Sequence, residues 1–253
     1  MGEEDDERRI RERAVEISDG SIKSFFANRA SRYDPARELT AVLYQDSRPE
    51  LAVRRDEEEK ARLLPLMNLV PTDRVLDLGC GIGRWAATIA PLVEAYHGVD
   101  FTAEFVDVAR KKCRGSRGAT FQAMAVQDIT QDNLQTPGPF SLVLISGLLA
   151  YLNDAEVERL FETLSGFTSS DTRVFVREPI GIAGRLTLDR IWSDELQCEY
   201  SAIYRTREEV ESYIVGLDGA HLVSAGPLYP SDLNHRKETI HYLFVVGIAR
   251  DLR

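Results

Sequence analysis

Residues 75–85 read VLDLGCGIGRW. Val75, Leu76 and Leu78 predict a short apolar strand. Around and behind it Asp77, Gly79, Gly81 and Gly83 form the pattern D-x-G-x-G-x-G. Glycine reaches positive φ without steric cost and lets backbone approach another group closely. Between that strand and a helix expected over residues 83–93, such a turn directs free N–H groups at a ligand. The dinucleotide fingerprint G-x-G-x-x-G places two residues before its last glycine, and this spacing differs from it. A glycine turn alone also serves purely structural ends, so its surroundings decide the reading.

Downstream the chain alternates. AYHGVD predicts a strand and AEFVDVARKKC a helix with Phe105, Val106 and Ala109 on one face. TFQAMAVQD reads as a strand with its loop, FSLVLISG as a doubly buried strand, DAEVERLFETLSGF as a helix and TRVFVREP as a strand. EEVESYIVGL then predicts a helix, HLVSAGPLY a strand and TIHYLFVVGIAR a long last strand. Strands and helices alternating at this length specify a largely parallel sheet covered on both faces. Upstream, residues 20–34 and 49–70 carry helical patterns, residues 1–20 read as charged and frayed or helical, and no strand is expected before Val75. Residues 180–207, rich in Tyr and Trp, read as an insertion.

Asp100 ends the second strand, 23 residues after Asp77, where an acid can hold both hydroxyls of a ribose. Asp128 follows the third strand, where a carboxylate can meet an adenine edge. Taken singly, Asp100 also reads as a helix N-cap and Asp128 as a turn residue. Acids at successive strand ends behind a glycine turn favour the ligand reading.

Over about residues 70–178 this constellation resembles the class I S-adenosylmethionine-dependent methyltransferases. The resemblance implies an α/β, Rossmann-like, seven-stranded mixed sheet of order 3-2-1-4-5-7-6 with its last strand antiparallel. It implies that Gly79, Gly81 and Asp77 hold the methionine part of the cofactor, Asp100 the ribose, and Asp128 with Ile129 the adenine. The loop after FSLVLIS, with Ser146 and Tyr151, would face the reacting methyl. Two departures concern the subfamily rather than the cofactor: Ser141 stands where an acid is common, and GFTSSDT replaces a Pro-Gly-Gly turn. The organisation expected is an N-terminal helical cap over residues 1–70 and an S-adenosylmethionine-binding domain over 71–253, with about 180–207 as a substrate-side insertion.

Methyl transfer asks the protein to align an acceptor and exclude water, because the donor is already activated. The family builds its acceptor pocket from the N-terminal helices and the insertion, which points to Phe26, Tyr151, Tyr200 and Tyr204, with Phe25 nearby. The same aromatics, and Trp192, read equally as packing for a lid. Tyr33 could bond the cofactor and Arg54 or Arg55 meet its carboxylate, or all three could be surface residues. A hydroxyl acceptor also calls for a base. His235 and Glu178 are the catalytic candidates, with Asp232 or Glu178 to orient the ring and Asn234 beside it, although a solvent-facing loop histidine reads as well for His235. His97, His221 and His241 read as structural, and no His or Cys spacing suggests a metal.

The bulk numbers bound the rest. With 41 acidic against 31 basic residues the net charge is -10, which argues against nucleic acid as partner. The Asn/Asp-Pro-Pro-Tyr motif used on base amines is absent at ISGL. Three cysteines without a C-x-x-C pairing, a charged start with no apolar leader, and no long apolar run suggest a cytoplasmic protein without membrane contact. The oligomeric state stays open. The expected activity is therefore S-adenosylmethionine-dependent methylation of oxygen on a small metabolite, natural-product intermediates included. The alternatives are N-methylation of a small amine, a nicotinamide-dependent dehydrogenase, which the glycine spacing and the lack of a Tyr-x-x-x-Lys pair disfavour, and a non-catalytic cofactor-binding partner.

Overall fold

The computed structural model describes residues 8–234 and 236–249. From Val75 onward the chain forms β2 (Arg74–Leu78), α4 (Ala86–Ile89), β3 (Ala95–Asp100), α5 (Ala103–Lys112), β4 (Ala119–Ala123), β5 (Phe140–Ser146), α6 (Asp154–Leu164) and β6 (Thr168–Gly181). After these come β7 (Leu186–Ser193), β8 (Cys198–Tyr204), α7 (Arg207–Val215), β9 (Ala220–Pro227) and β10 (Thr239–Ile248). Before them lie β1 (Arg9–Arg11), α1 (Asp19–Ser31), α2 (Thr40–Leu43) and α3 (Pro49–Met67).

The main sheet has seven strands in the order β4-β3-β2-β5-β6-β10-β9. Counted from β2, this is the expected 3-2-1-4-5-7-6, and β10 runs antiparallel to both neighbours. Period-2 alternation assigns the faces. Leu76 and Leu78 pack with Val143, Val176 and Phe244 under Leu160 and Phe161 of α6 and Ile214 of α7. Val75 packs on the other face with Leu142, Phe175 and Leu243, under Leu63 and Met67 of α3 and Val106 of α5. With both faces covered, every parallel strand presents its carboxyl end to the same edge, where open α/β sheets bind ligands.

Local chemistry fixes the elements around this frame. At the start of α7 the Thr206 hydroxyl accepts the Glu209 N–H at 3.2 Å, and the Glu209 carboxylate accepts the Thr206 N–H at 2.7 Å. Ser141, the departure noted above, donates to Asp73 at 2.6 Å and accepts the Arg74 N–H at 3.0 Å, tying the entry of β5 to that of β2.

Three features differ from the sequence reading. The helix after the glycine turn is one turn of α-helix, followed by a 3-10 turn at Ala90–Leu92. Residues 180–207 are a β-hairpin, and Arg9–Arg11 adds a third strand, giving a second sheet of order β1-β7-β8. The hairpin buries Leu186, Leu188 and Ile191 against Tyr200 and Tyr204. A strand therefore does precede Val75. It forms by adding backbone bonds to a ready edge, and Arg9 and Arg11 both pair with Glu238.

Candidate active site

Three chain turns meet at the carboxyl edge. Gly79 and Gly81, at φ +74° and +51°, carry the backbone around the end of β2. The Gly81 N–H donates at 2.9 Å to Asp100 at the end of β3, whose other oxygen accepts the Thr102 N–H at 2.8 Å. Burial nonetheless raises the Asp100 carboxyl above its ordinary range, against those two N–H groups. Gly83 does a different job. At φ +72° its absent Cβ would lie 2.9 Å from the Ala109 Cβ, so it admits α5 against the turn.

Two cavities open here. One, of about 330 Å³, is lined by Asp100, Phe101, Asp128, Val126, Leu148 and Phe26 among others. The second, of about 320 Å³, is lined by Asp77, Arg84, Arg177, Tyr200, Tyr204 and His241 among others. Val42, Tyr44, Gly79, Gly81, Ser146, Gly147 and Tyr151 line both, so they form the shared wall. Four phenols run along it: Tyr44 bonds Tyr151, Tyr151 reaches Tyr200 at 3.2 Å, and Tyr200 reaches Tyr204 at 3.0 Å. Phe25 packs against Phe26, Tyr44 and Tyr200 behind that row.

Beneath the wall lies a buried ionic network. Arg84 donates to Asp56 at 2.9 Å, to Glu59 at 2.7 Å and to the Ser146 hydroxyl at 3.1 Å. Glu59 also accepts from Tyr229 at 2.7 Å and pairs with Arg177 at 3.3 Å. Burial alone would raise Glu59, but Arg177 and Arg84 outweigh it and hold the carboxyl at about 2. Asp77 goes the other way. Burial pushes it up to about 6, against the Tyr96 hydroxyl that bonds it and the charge of Arg84.

The structure thus brings Asp77, Gly79, Gly81, Asp100, Asp128, Ser146, Phe26, Tyr151, Tyr200 and Tyr204 to the cavities. Ile129, Tyr33, Arg54 and Asn234 stand elsewhere, whereas Arg55 lines the second cavity. Ile129 is buried in the core with Val126 and Leu134. Tyr33 packs near Ile82 and Phe105 and donates to Glu38 at 3.4 Å. Arg54 is exposed and pairs with Asp232 at 2.9 Å. One residue on, a helix turns by 100°, and Arg55 points inward and donates to the Leu233 carbonyl at 2.6 Å. Asn234 donates to the Tyr229 carbonyl at 2.9 Å.

Glu178 lines neither cavity. Its carboxylate accepts the Leu148 and Leu149 N–H groups at 2.7 and 3.0 Å, pinning the loop after β5. Burial raises it to about 7 against those bonds. His235 lies outside the described residues. His241, expected in a core or surface role, lines the second cavity, with its pKa pushed well down by burial and by Arg177, Arg55 and Arg236. His97 bonds Thr120 at 2.7 Å inside the sheet. Sequence reasoning passed over Tyr44, Arg84, Glu59 and Arg177. The signal for Glu59 was its spacing of four from Arg55 and Leu63 on the face that α3 buries.

The sheet order, the glycine turn and the acids at successive strand ends define the class I methyltransferase fold. Residues 75–170 match a family model described as a methyltransferase domain, so that stretch of the chain is a methyltransferase domain. Phosphoethanolamine N-methyltransferase 1 of Arabidopsis thaliana is 32% identical over 125 residues, spanning 49% of this chain and 25% of that enzyme. This chain therefore matches only about a quarter of the plant enzyme's length. Among solved structures, phosphoethanolamine N-methyltransferase 1 of Haemonchus contortus, with phosphoethanolamine and S-adenosylhomocysteine, aligns at TM-score 0.69 and 15% identity. That alignment covers 92% of this chain and 50% of the other. A SAM-dependent methyltransferase from Leishmania major aligns at TM-score 0.64 and 16% identity, covering 89% and 82%. At such identities the structural likeness concerns the fold. Among the described residues no helix is long and apolar enough to cross a membrane, and no cluster of His, Cys, Asp and Glu could hold a metal.

Proposed function

We propose that this protein transfers the methyl group of S-adenosylmethionine to oxygen on a small acceptor bound in the cavity on the Tyr200 side of the shared wall. The observation that carries this reading is the wall itself, where Gly79, Gly81, Ser146 and Tyr151 face both chambers. On the Asp100 side the residues fit the cofactor: a carboxylate for ribose hydroxyls, Asp128 for an adenine amino group, and Phe101, Val126 and Leu148 as apolar surface for the ring. The cofactor supplies an activated methyl on a sulfonium. The chain aligns the acceptor with that methyl and keeps water away. The phenols of Tyr44, Tyr151 and Tyr200 can orient an acceptor hydroxyl, but burial raises all three above the ordinary tyrosine range, so they stay protonated and do not take up its proton.

A second reading, N-methylation of a small amine, is favoured by the 32% identity to the plant phosphoethanolamine enzyme. An amine brings its own lone pair and asks less of a base. We place the protein in the cytoplasm with small-molecule partners and no nucleic acid, in keeping with its net charge of -10. Incubation with methyl-labelled S-adenosylmethionine and a panel of alcohols, phenols and amines, with total RNA as a separate arm, tests the proposal. Label appearing on oxygen supports the first reading and on nitrogen the second, and label on RNA alone rejects both.

A further inference from the structure

The acceptor-side cavity is cationic in a chain whose net charge is -10. Arg9, Arg55, Arg84, Arg177 and Arg236 line it, against the acids Asp77, Asp194 and Glu195. These charges are unequally compensated. Arg9 pairs with Glu238, and Arg84 pairs with Asp56 and Glu59. Arg177 shares that Glu59 at 3.3 Å and donates to the Tyr229 hydroxyl at 2.9 Å, while its Nε stays buried without a partner in the described structure. Arg55 is buried and spends its bonds on the Leu233 carbonyl, while Arg236 stands at the rim. Neither meets a carboxylate among the described residues. Among the described residues none of the three acids forms an ion pair with Arg55, Arg177 or Arg236; Asp77 is bonded to Tyr96 and Glu195 accepts from Ser47.

The surplus is gathered in one place. The guanidinium groups of Arg55 and Arg177 both lie over the Tyr229 ring, at 5.7 and 5.8 Å, and His241 packs edge-on to it at 5.2 Å. The His241 Nδ1 is buried with no hydrogen-bond partner in the described structure. Burial and the fields of Arg177, Arg55 and Arg236 hold its ring neutral. An uncompensated buried cation is costly, and an unpaired buried polar atom adds to the cost. A bound anion relieves both, and a guanidinium matches oxyanion geometry with paired N–H groups.

We propose that the acceptor carries an oxyanion, phosphate or carboxylate, which seats against Arg55, Arg177 and Arg236 beside Tyr229 and His241. This rests on reading the cavity as the acceptor chamber. The oxyanion end anchors the molecule and leaves its reactive atom to face Ser146 and Tyr151 on the shared wall.

The test is calorimetric titration of the full chain with inorganic phosphate and, separately, with acetate, each with and without S-adenosylhomocysteine. Tetramethylammonium is the control cation. At least one oxyanion binds, tetramethylammonium does not, and added salt weakens the oxyanion. Arg55→Gln and Arg236→Gln each lower the affinity at least tenfold. Arg236 stands at the rim, so its variant keeps the test valid if Arg55→Gln does not fold. The tighter of phosphate and acetate identifies the head group. Wild-type protein that binds S-adenosylhomocysteine but neither oxyanion overturns the proposal and leaves the methyltransferase reading intact. Unchanged oxyanion affinity in both variants overturns it too. Failure to bind S-adenosylhomocysteine counts against the methyltransferase reading instead.

Discussion

The Asp100 carboxylate accepts the Gly81 N–H at 2.9 Å, so the acid that ends β3 and the middle glycine of the turn after β2 act as one unit. Its other oxygen holds Thr102, the first residue before α5, at 2.8 Å. The acid that faces the cavity therefore also shapes the cavity's floor.

Asp100→Asn keeps the size of the side chain, but an amide oxygen can serve only one of those two N–H groups and cannot accept two ribose hydroxyls as a charge. Bonds to a charged group contribute ~1.5 to 3 kcal/mol, so S-adenosylhomocysteine affinity should fall tenfold or more. Calorimetry measures it. Affinity equal to wild type would remove Asp100 from the cofactor site.

Asp77 should report the arrival of the cofactor's ammonium group. Its carboxyl, raised by burial to about 6, is partly protonated at pH 6. A cation beside it favours the charged form, so binding at pH 6 should release a proton and binding at pH 8 should not. Titrations at pH 6 in two buffers of different ionisation enthalpy measure that release, and Asp77→Asn should abolish it. No proton release at pH 6 would separate Asp77 from the ammonium.

Glu178 should govern stability rather than proton transfer to the acceptor. Its folded pKa of about 7 lies above the ordinary glutamate value of 4.5, so the folded chain holds more protons between those values. Its contribution therefore favours folding below about pH 4.5 and is lost as pH rises towards 7. Glu178→Gln keeps an oxygen like the one that accepts both the Leu148 and Leu149 N–H groups, and should flatten that fall in urea midpoints. Glu178→Ala strands both N–H groups and should cost about 1 to 3 kcal/mol. A Glu178→Gln variant as stable as wild type at every pH, but inactive, would return the residue to catalysis.

The three glycines of the turn should separate by phenotype. In Gly83→Ala the new methyl meets the Ala109 Cα at 3.1 Å and sits at positive φ, so stability should fall by about 1 to 3 kcal/mol. Because Gly83 lines neither cavity, S-adenosylhomocysteine affinity should fall less than in Asp100→Asn. Chemical denaturation paired with calorimetry distinguishes the two losses. An affinity loss as large as that of Asp100→Asn without a stability loss would contradict this division.

The sheet was legible because burial obeys residue periodicity. Leu76 and Leu78 alternate with Val75 and Asp77, and each set is buried on its own face. The second sheet was not, because Arg9–Arg11 becomes a strand only when β7 offers it an edge, and its charges are satisfied far away at Glu238. The ionic network was hidden for a related reason. In RRDEEEKAR the charges look like a solvated helix face, yet Arg55, Asp56 and Glu59 share the buried stripe with Leu51 and Leu63. Their partners Arg84 and Arg177 come from residues far along the chain, and no local pattern announces them. The sequence left Arg54 and Arg55 as equals, because local spacing does not say which face α3 buries; the structure turns Arg55 inward and Arg54 out.

The central claim is that the two cavities are a cofactor chamber and an acceptor chamber divided by one wall. A crystal structure with S-adenosylhomocysteine tests it most directly. The ribose should lie on Asp100, the adenine beside Asp128 and Phe101, and the sulfur against Gly79, Gly81 and Ser146, with the ammonium reaching past the wall to Asp77 and the rest of the Tyr200 side left free. The adenosine found in the Tyr200 cavity, or away from Asp100 altogether, would contradict it.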